Sequence, residues 1–188
     1  MMRTRLRPMP TAAELAKMYV TPHDHTRWMD HLLRVDVTSA MAHHLLPQGG
    51  TVADLSCGDA AIVRRLQQSH HARAVLGDYA PGYEHTGPIE QTIDAIDPVD
   101  LFICSETIEH LDDPDMVLAK IRAKTDRLIL STPDGEDNNA NPEHVWGWDA
   151  EAVDKMLRGA GFTPEVSSIV DCRPLVSQAY VYQIWACR

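Results

Sequence analysis

Between residues 27 and 46 the apolar side chains Trp28, Met29, Leu32, Leu33, Val37, Ala40, Met41 and Leu45 recur at helical spacing, which predicts a long helix with one face packed on a sheet. From Thr51 onward the hydrophobic period switches repeatedly between that of a strand and that of a helix. The pattern predicts strands over 51–55, 73–78, 99–105 and 126–131, helices over 59–69, 113–124 and 149–158, and a weak short strand near 91–93. Such alternation implies a parallel sheet covered by helices. Helix punctuation agrees, since Asp113-Pro114 offers an N-cap with a first-turn proline and Asp149 caps a helix that runs out at Gly159 and Gly161.

The two ends of the chain read differently. Residues 163–170 and 178–187 both have strand character, with only seven residues between them. A parallel crossover needs about a dozen or more, so this pair is predicted to be an antiparallel hairpin. At the other end, residues 1–11 hold two prolines and three arginines and read as a flexible arm. A helix follows over about 12–19, then a loop with Pro22, then the long helix.

Composition narrows the class. With 188 residues and 44% apolar side chains the chain suits one domain with one substantial core. No apolar run approaches the ~20 residues that span a bilayer, and the first residues lack the apolar segment of a secretory signal, so a cytoplasmic protein is expected. Cys57, Cys104, Cys172 and Cys187 form no Cys-x-x-Cys pair and are expected as reduced thiols. Twenty-seven acids against seventeen Lys and Arg leave a net charge of −10, which disfavours nucleic acid as a partner without excluding it. The basic group Lys120, Arg122, Lys124 and Arg127 reads as the solvated side and last turn of a helix.

Candidate chemistry gathers where the strands end. The strand from Thr51 runs into Ser56-Cys57-Gly58-Asp59-Ala60, a tight turn of small residues ahead of an amphipathic helix. The next strand ends at Asp78, twenty residues beyond Gly58, close to the interval at which an acid reaches a ribose hydroxyl pair in doubly wound sheets. The Gly-x-Gly-x-x-Gly fingerprint is missing and the terminal hairpin is wrong for an NAD-binding oxidoreductase. Turn, acid and hairpin together resemble the class I S-adenosylmethionine-dependent methyltransferases over roughly residues 27–188.

That resemblance implies an α/β, Rossmann-like, doubly wound, seven-stranded mixed sheet closed by an antiparallel C-terminal hairpin. It also implies one domain over 12–188, with a helical lid at 12–46 and a cofactor-binding core at 51–188. The family's first turn is acid-x-Gly-x-Gly-x-Gly; here it is Asp54-x-Ser56-x-Gly58-x-Ala60, and neither serine nor alanine tolerates positive φ as glycine does. By resemblance, Asp78 accepts both ribose hydroxyls of S-adenosyl-L-methionine and Tyr79 flanks the adenine. Asp94 with Ala95 would meet the adenine edge, and Asp54 would help to fix the methionine amino group, directly or through water. Ser56, Gly58, Asp59 and Ser105 complete the expected cofactor site.

A second constellation follows the strand at 99–105. If Glu106-Thr107-Ile108-Glu109-His110 makes a helical turn, Glu106, Glu109 and His110 stand at i, i+3 and i+4 on one face. Two acids so close favour a neutralising ion such as Mg²⁺ or Mn²⁺. The long loop 131–148 leaves the next strand at the same edge and offers His144 as a fourth ligand. Glu-x-x-Glu-His with a later His-x-x-x-Trp is similar to the ubiquinone-biosynthesis methyltransferases and to those that methylate the 2′-hydroxyl at RNA 3′ ends. Glu-His-Leu after this strand also occurs in related small-molecule enzymes that need no metal. His110, then His144, are the expected general bases.

Trp146 and Trp148 are expected to divide between the core and the acceptor pocket. One of His23, His25 and His31 could touch the acceptor, while His43, His44, His70, His71 and His85 read as surface positions. The reading favoured by these residues is O-methylation of a small molecule. An RNA 3′-end 2′-O-methyltransferase and a non-catalytic cofactor-binding protein are the alternatives.

Overall fold

A computed structural model describes residues 2–136, 141–175 and 180–188. The chain runs β1 (Arg3–Arg5), α1 (Ala12–Met18), a 3-10 turn at His25–Arg27, α2 (Met29–Leu45), β2 (Thr51–Asp54), α3 (Ala61–His70) and β3 (Arg73–Asp78). It continues through β4 (His85–Thr86), α4 (Ile89–Thr92), 3-10 turns at Ile93–Ala95 and Ile108–His110 that flank β5 (Leu101–Ser105), α5 (Pro114–Lys124) and β6 (Leu128–Pro133). The remainder is β7 (Trp146–Trp148), α6 (Ala150–Gly159), β8 (Pro164–Asp171) and β9 (Val181–Cys187).

Seven strands form one sheet in the order β4-β3-β2-β5-β6-β9-β8. Neighbours from β4 through β6 pair in parallel, whereas β9 is antiparallel to both β6 and β8. This is the mixed Rossmann-like sheet and C-terminal hairpin that the pattern predicts. Its centre is buried on both faces. From β5, Leu101 and Ile103 join Val35, Ala42, Val63 and Leu66 of α2 and α3, while Phe102 and Cys104 join Leu118, Ile121, Val153 and Leu157 of α5 and α6. A strand covered twice has no polar face, which is why its sequence is a continuous apolar run.

The caps hold as predicted: the Asp113 side chain accepts from the Met116 N–H and that of Asp149 from the Ala152 N–H. No helix among the described residues is long and apolar enough to cross a membrane. All four cysteines are buried.

Four expectations are corrected. The long helix turns a different face inward, burying Arg34, Val35, Thr38, Ser39 and Ala42 beside Leu45 while Trp28, Met29 and Ala40 are exposed. The weak strand near 91–93 is helical, and β4 pairs with β3 at His85–Thr86 instead. Ile89 and Ile93 are the buried positions there, and a spacing of four residues is a helix period that a short window had mixed with alternation.

The segment expected as a flexible arm contains β1, antiparallel to β7 and extended by Leu6 N–H to Val145 O (2.8 Å). Arg3 lies over Trp146, 4.9 Å from its ring centroid, and bonds Asp115, so the arginines find aromatic and acidic partners. Trp146 and Trp148, finally, stack on each other 5.9 Å apart beneath β1. Neither is among the residues that line the cavity described below.

Candidate active site

The turn after β2 is built from backbone geometry. Gly58 has φ +54, and its N–H donates to Asp78 Oδ2 (2.8 Å) while its carbonyl accepts from Tyr83 Oη (2.6 Å). A Cβ at this position would stand 2.6 Å from His25 Cε1 and 2.8 Å from the His23 carbonyl, so glycine is required both for conformation and for close approach of the connection between α1 and α2. Ala60 also adopts the left-handed conformation, φ 58 and ψ 27, at the start of α3. That conformation costs a non-glycine residue about 1–2 kcal/mol.

Asp78 also accepts the Ala80 N–H at Oδ1 (2.9 Å). Each of its oxygens has a second lone pair for a hydroxyl. Asp54 is buried and accepts the Ser56 N–H (3.2 Å); burial raises its pKa to about 7.

A cavity of about 780 Å³ opens at the carboxyl ends of β2, β3 and β5, bordered by α1, the connection that follows it and the first turns of α2. Ser56, Gly58, Asp78, Tyr79 and Ser105 line it from the expected cofactor set, and Glu106, Glu109, His110 and His144 line it from the expected catalytic and metal set. Asp54 lies behind the wall. Asp59 is turned to the lid, with Oδ1 2.8 Å from His25 Nδ1. Asp94 and Ala95 fall outside: Asp94 is paired with Lys120 Nζ at 2.7 Å on the surface, and Pro88, Ile89, Glu90 and Gln91 border the cavity in their place. The shift follows from β4 ending at Thr86, which puts the next residues at the sheet edge and carries 93–95 away from it.

The acidic segment after β5 is not the helical turn that the spacing suggests. Glu106 leaves the strand at φ 51, and its Oε1 accepts from Ser131 Oγ (2.8 Å). A 3-10 turn then delivers Glu109 and His110. One ligand atom from each of Glu109, His110 and His144 lies within 4.8 Å of the others, and this group does not include Glu106.

Glu109 is fully buried; its Oε2 accepts from Thr132 Oγ1 (3.0 Å), which in turn accepts from Trp148 Nε1 (3.0 Å), while its Oε1 has no partner. His110 Nδ1 faces the Glu143 carbonyl at 3.1 Å and therefore carries the proton, which leaves Nε2 as an acceptor 3.8 Å from Glu109 Oε1. His144 Nδ1 lies 2.7 Å from Glu136 Oε2, the carboxylate–imidazole pairing that orients metal-bound histidines.

Burial dominates the electrostatics. It raises the Glu109 pKa well above the carboxylate range, with Glu106 adding to the effect, and it lowers that of His110 to about 3. An orphaned carboxylate oxygen beside imidazoles is a donor set that fits a divalent ion. Two nitrogens in the set suit Mn²⁺ better than Mg²⁺.

Arg34 was not foreseen as a site residue. It is fully buried on α2, donates from Nη1 to Ser105 Oγ (2.5 Å) and sits 5.7 Å from the Tyr182 ring centroid, while Nε and Nη2 have no partner. Its one signal in the sequence is its place inside Leu32-Leu33-Arg34-Val35, where an arginine interrupts an apolar run. Across the cavity the lid contributes Tyr19, His23, Trp28 and His31, and the hairpin contributes Tyr180 and Tyr182. Five Tyr and Trp side chains and five imidazoles are thus among the residues that line it.

Solved structures with this fold are S-adenosylmethionine-dependent methyltransferases and fold relatives. The 1,6-didemethyltoxoflavin-N1-methyltransferase of Burkholderia thailandensis, solved with 1,6-didemethyltoxoflavin and S-adenosylhomocysteine, is 20% identical at a TM-score of 0.72, covering 99% of this chain and 94% of its own. The [4+2]-cyclase SpnF is 12% identical at a TM-score of 0.71, with 98% of each chain covered. An S-adenosylmethionine-dependent methyltransferase from Leishmania major is 13% identical at a TM-score of 0.63, covering 85% of this chain and 74% of its own. No family model and no curated protein matches the sequence. The chain therefore has the class I methyltransferase fold.

Proposed function

We propose that the protein is a cytoplasmic S-adenosylmethionine-dependent methyltransferase that transfers a methyl group to an oxygen of a planar small molecule. The observation that carries this reading is the single cavity of about 780 Å³ whose wall joins Ser56, Gly58 and Asp78 to Glu109, His110 and His144. In this reading a cofactor cradle and a proton-accepting group share one cavity. The aromatic wall favours a flat acceptor, and the toxoflavin-type neighbour is a protein that binds such a heteroaromatic. Buried thiols fit a reducing compartment.

In this reading Asp78 takes the ribose hydroxyls and Tyr79 flanks the adenine. The unpartnered Nε and Nη2 of Arg34 take the methionine carboxylate, and Asp54, through the Ser56 turn or a water, meets the ammonium. Transfer from a sulfonium is an in-line displacement, so holding the acceptor in line supplies most of the catalysis, an effect worth up to about 7–11 kcal/mol.

The departing hydroxyl proton goes to the Glu109–His110–His144 group. Desolvation keeps the Glu109 carboxyl protonated, so the hydroxyl proton goes to His110 Nε2, an acceptor 3.8 Å from Glu109 Oε1, with the His144 ring beside it. A divalent ion held by Glu109, His110 and His144, as in the ubiquinone-biosynthesis type, would supply Lewis-acid activation of that hydroxyl.

The cyclase neighbour has the same fold, so the fold alone does not fix the reaction. Two measurements test the proposal. S-adenosylhomocysteine should raise the unfolding temperature and bind by calorimetry, and Asp78→Ala should weaken that binding at least about a hundredfold, the loss of charge-assisted bonds to two hydroxyls. Retained affinity in Asp78→Ala, or absence of labelled methyl transfer to any phenolic or heteroaromatic acceptor despite tight binding, would reject it.

A further inference from the structure

Three imidazoles outside the methyl-transfer group meet on the lid. His23 and His25 lie in the connection from α1 to α2, and His31 lies in the first turn of α2. One ring nitrogen from each falls within 4.8 Å of the other two. The ring centroids stand 5.0 Å (His23 to His25), 5.2 Å (His23 to His31) and 5.9 Å (His25 to His31) apart, so the rings surround a common point.

Among the described residues, His31 Nδ1 is buried with no hydrogen-bond partner. His25 is already oriented, because Asp59 Oδ1 holds its Nδ1 at 2.8 Å and the lone pair is thereby directed to Nε2. Trp28 stacks on His23 at 5.3 Å and 19°, which limits that ring too.

We propose that His23, His25 and His31 form a binding site for a divalent transition ion that prefers imidazole, with Zn²⁺ as the reference ion. Three nitrogen donors exclude a hard, oxygen-seeking cation such as Mg²⁺. Tetrahedral Zn–N bonds of about 2.0–2.1 Å imply nitrogens about 3.3–3.4 Å apart, so nitrogens separated by as much as 4.8 Å would draw inward on binding. Arg34 opposes the ion's charge, and Asp30, Asp59 and Glu143, which act on these rings in the opposite sense, offset it. Three protein ligands leave the fourth position open, and because all three rings line the cavity, water or a donor atom of the acceptor completes the shell. The site would pin the lid to the Gly58 turn through Asp59 with no cofactor present. It stands independently of methyl transfer.

The test uses the full, untagged chain after exhaustive chelation. His144→Ala first removes the other metal-capable group; calorimetric titration with Zn²⁺ should then still give one ion per chain. Adding His23→Ala, a change at an exposed ring, should weaken that binding at least tenfold. Should His144→Ala lose its fold, the visible spectrum of Co²⁺ in the wild-type chain, collected with and without His23→Ala, decides the same point by difference: it should contain a four- or five-coordinate component that His23→Ala removes. Absence of uptake, or uptake indifferent to His23→Ala, overturns the proposal. S-adenosylhomocysteine binding measured on the same samples reports separately on the cofactor site.

Discussion

Ala60 holds a left-handed backbone that glycine would adopt without penalty, because the turn must bring Cys57 O to the Ala60 N–H (2.7 Å) and then start α3 at once. Replacement by glycine relieves about 1–2 kcal/mol of strain and gives back part of it through the freer unfolded chain. Ala60→Gly should therefore raise stability by about 0.5–1 kcal/mol in urea unfolding, and an equal or lower midpoint would show that the turn is not strained. Glu106 at φ 51 is different. Its side chain is bonded to Ser131 and faces the cavity, so glycine there would remove a site group along with the strain. At this scale Gly58 and Asp78 were legible because backbone geometry demands those residue types. Arg34 was not, since an arginine on a helix is ordinarily solvated and only the three-dimensional closure of α2 over Ser105 buries it.

Among the elements, β1 has a consequence at the site. It covers Trp146 and Trp148, and Trp148 Nε1 holds the Thr132 hydroxyl that bonds Glu109. The exposed pairs Arg3–Asp115 and Arg5–Asp112 contribute about 0–1 kcal/mol each, so the strand ladder and the covered indoles carry most of its value. Removing residues 1–7 should lower the unfolding temperature by several degrees and reduce methyl transfer more than S-adenosylhomocysteine affinity, because the cradle at Gly58 and Asp78 lies elsewhere. Equal losses in both would contradict this chain of contacts. The alternating pattern from Thr51 onward made the main sheet and its hairpin legible. The pairing of β1 with β7 was not, because a three-residue strand has no period to detect and its partner lies more than 140 residues away. Helix α4 was lost for the same reason of shortness.

At the scale of the molecule, acids compensate two of the four cations in the basic cluster Lys120, Arg122, Lys124 and Arg127. Lys120 pairs with Asp94, Arg122 with Asp126, and Lys124 donates to the Ile96 carbonyl. The cavity instead concentrates buried titratable groups of opposite tendency. His25, His31 and His110 have folded pKa values of about 4, 4 and 3, below the ordinary value, so the stability they contribute is full above about pH 6.5 and is lost as pH falls through that window. Asp54, raised to about 7, acts the other way: the folded state holds a proton that the unfolded state releases at about pH 4, so its contribution declines as pH rises from there and is gone above about pH 7. A methionine ammonium beside Asp54 requires the ionised carboxylate. S-adenosylhomocysteine binding should therefore release a proton below pH 7, and its affinity should fall by up to about tenfold per pH unit as the solution is acidified from there. Calorimetry in two buffers of different ionisation enthalpy would detect that proton, and Asp54→Asn should abolish both the release and the slope. A flat affinity across pH 7 in the wild-type protein would detach Asp54 from the ammonium and leave its buried carboxyl a neutral structural group.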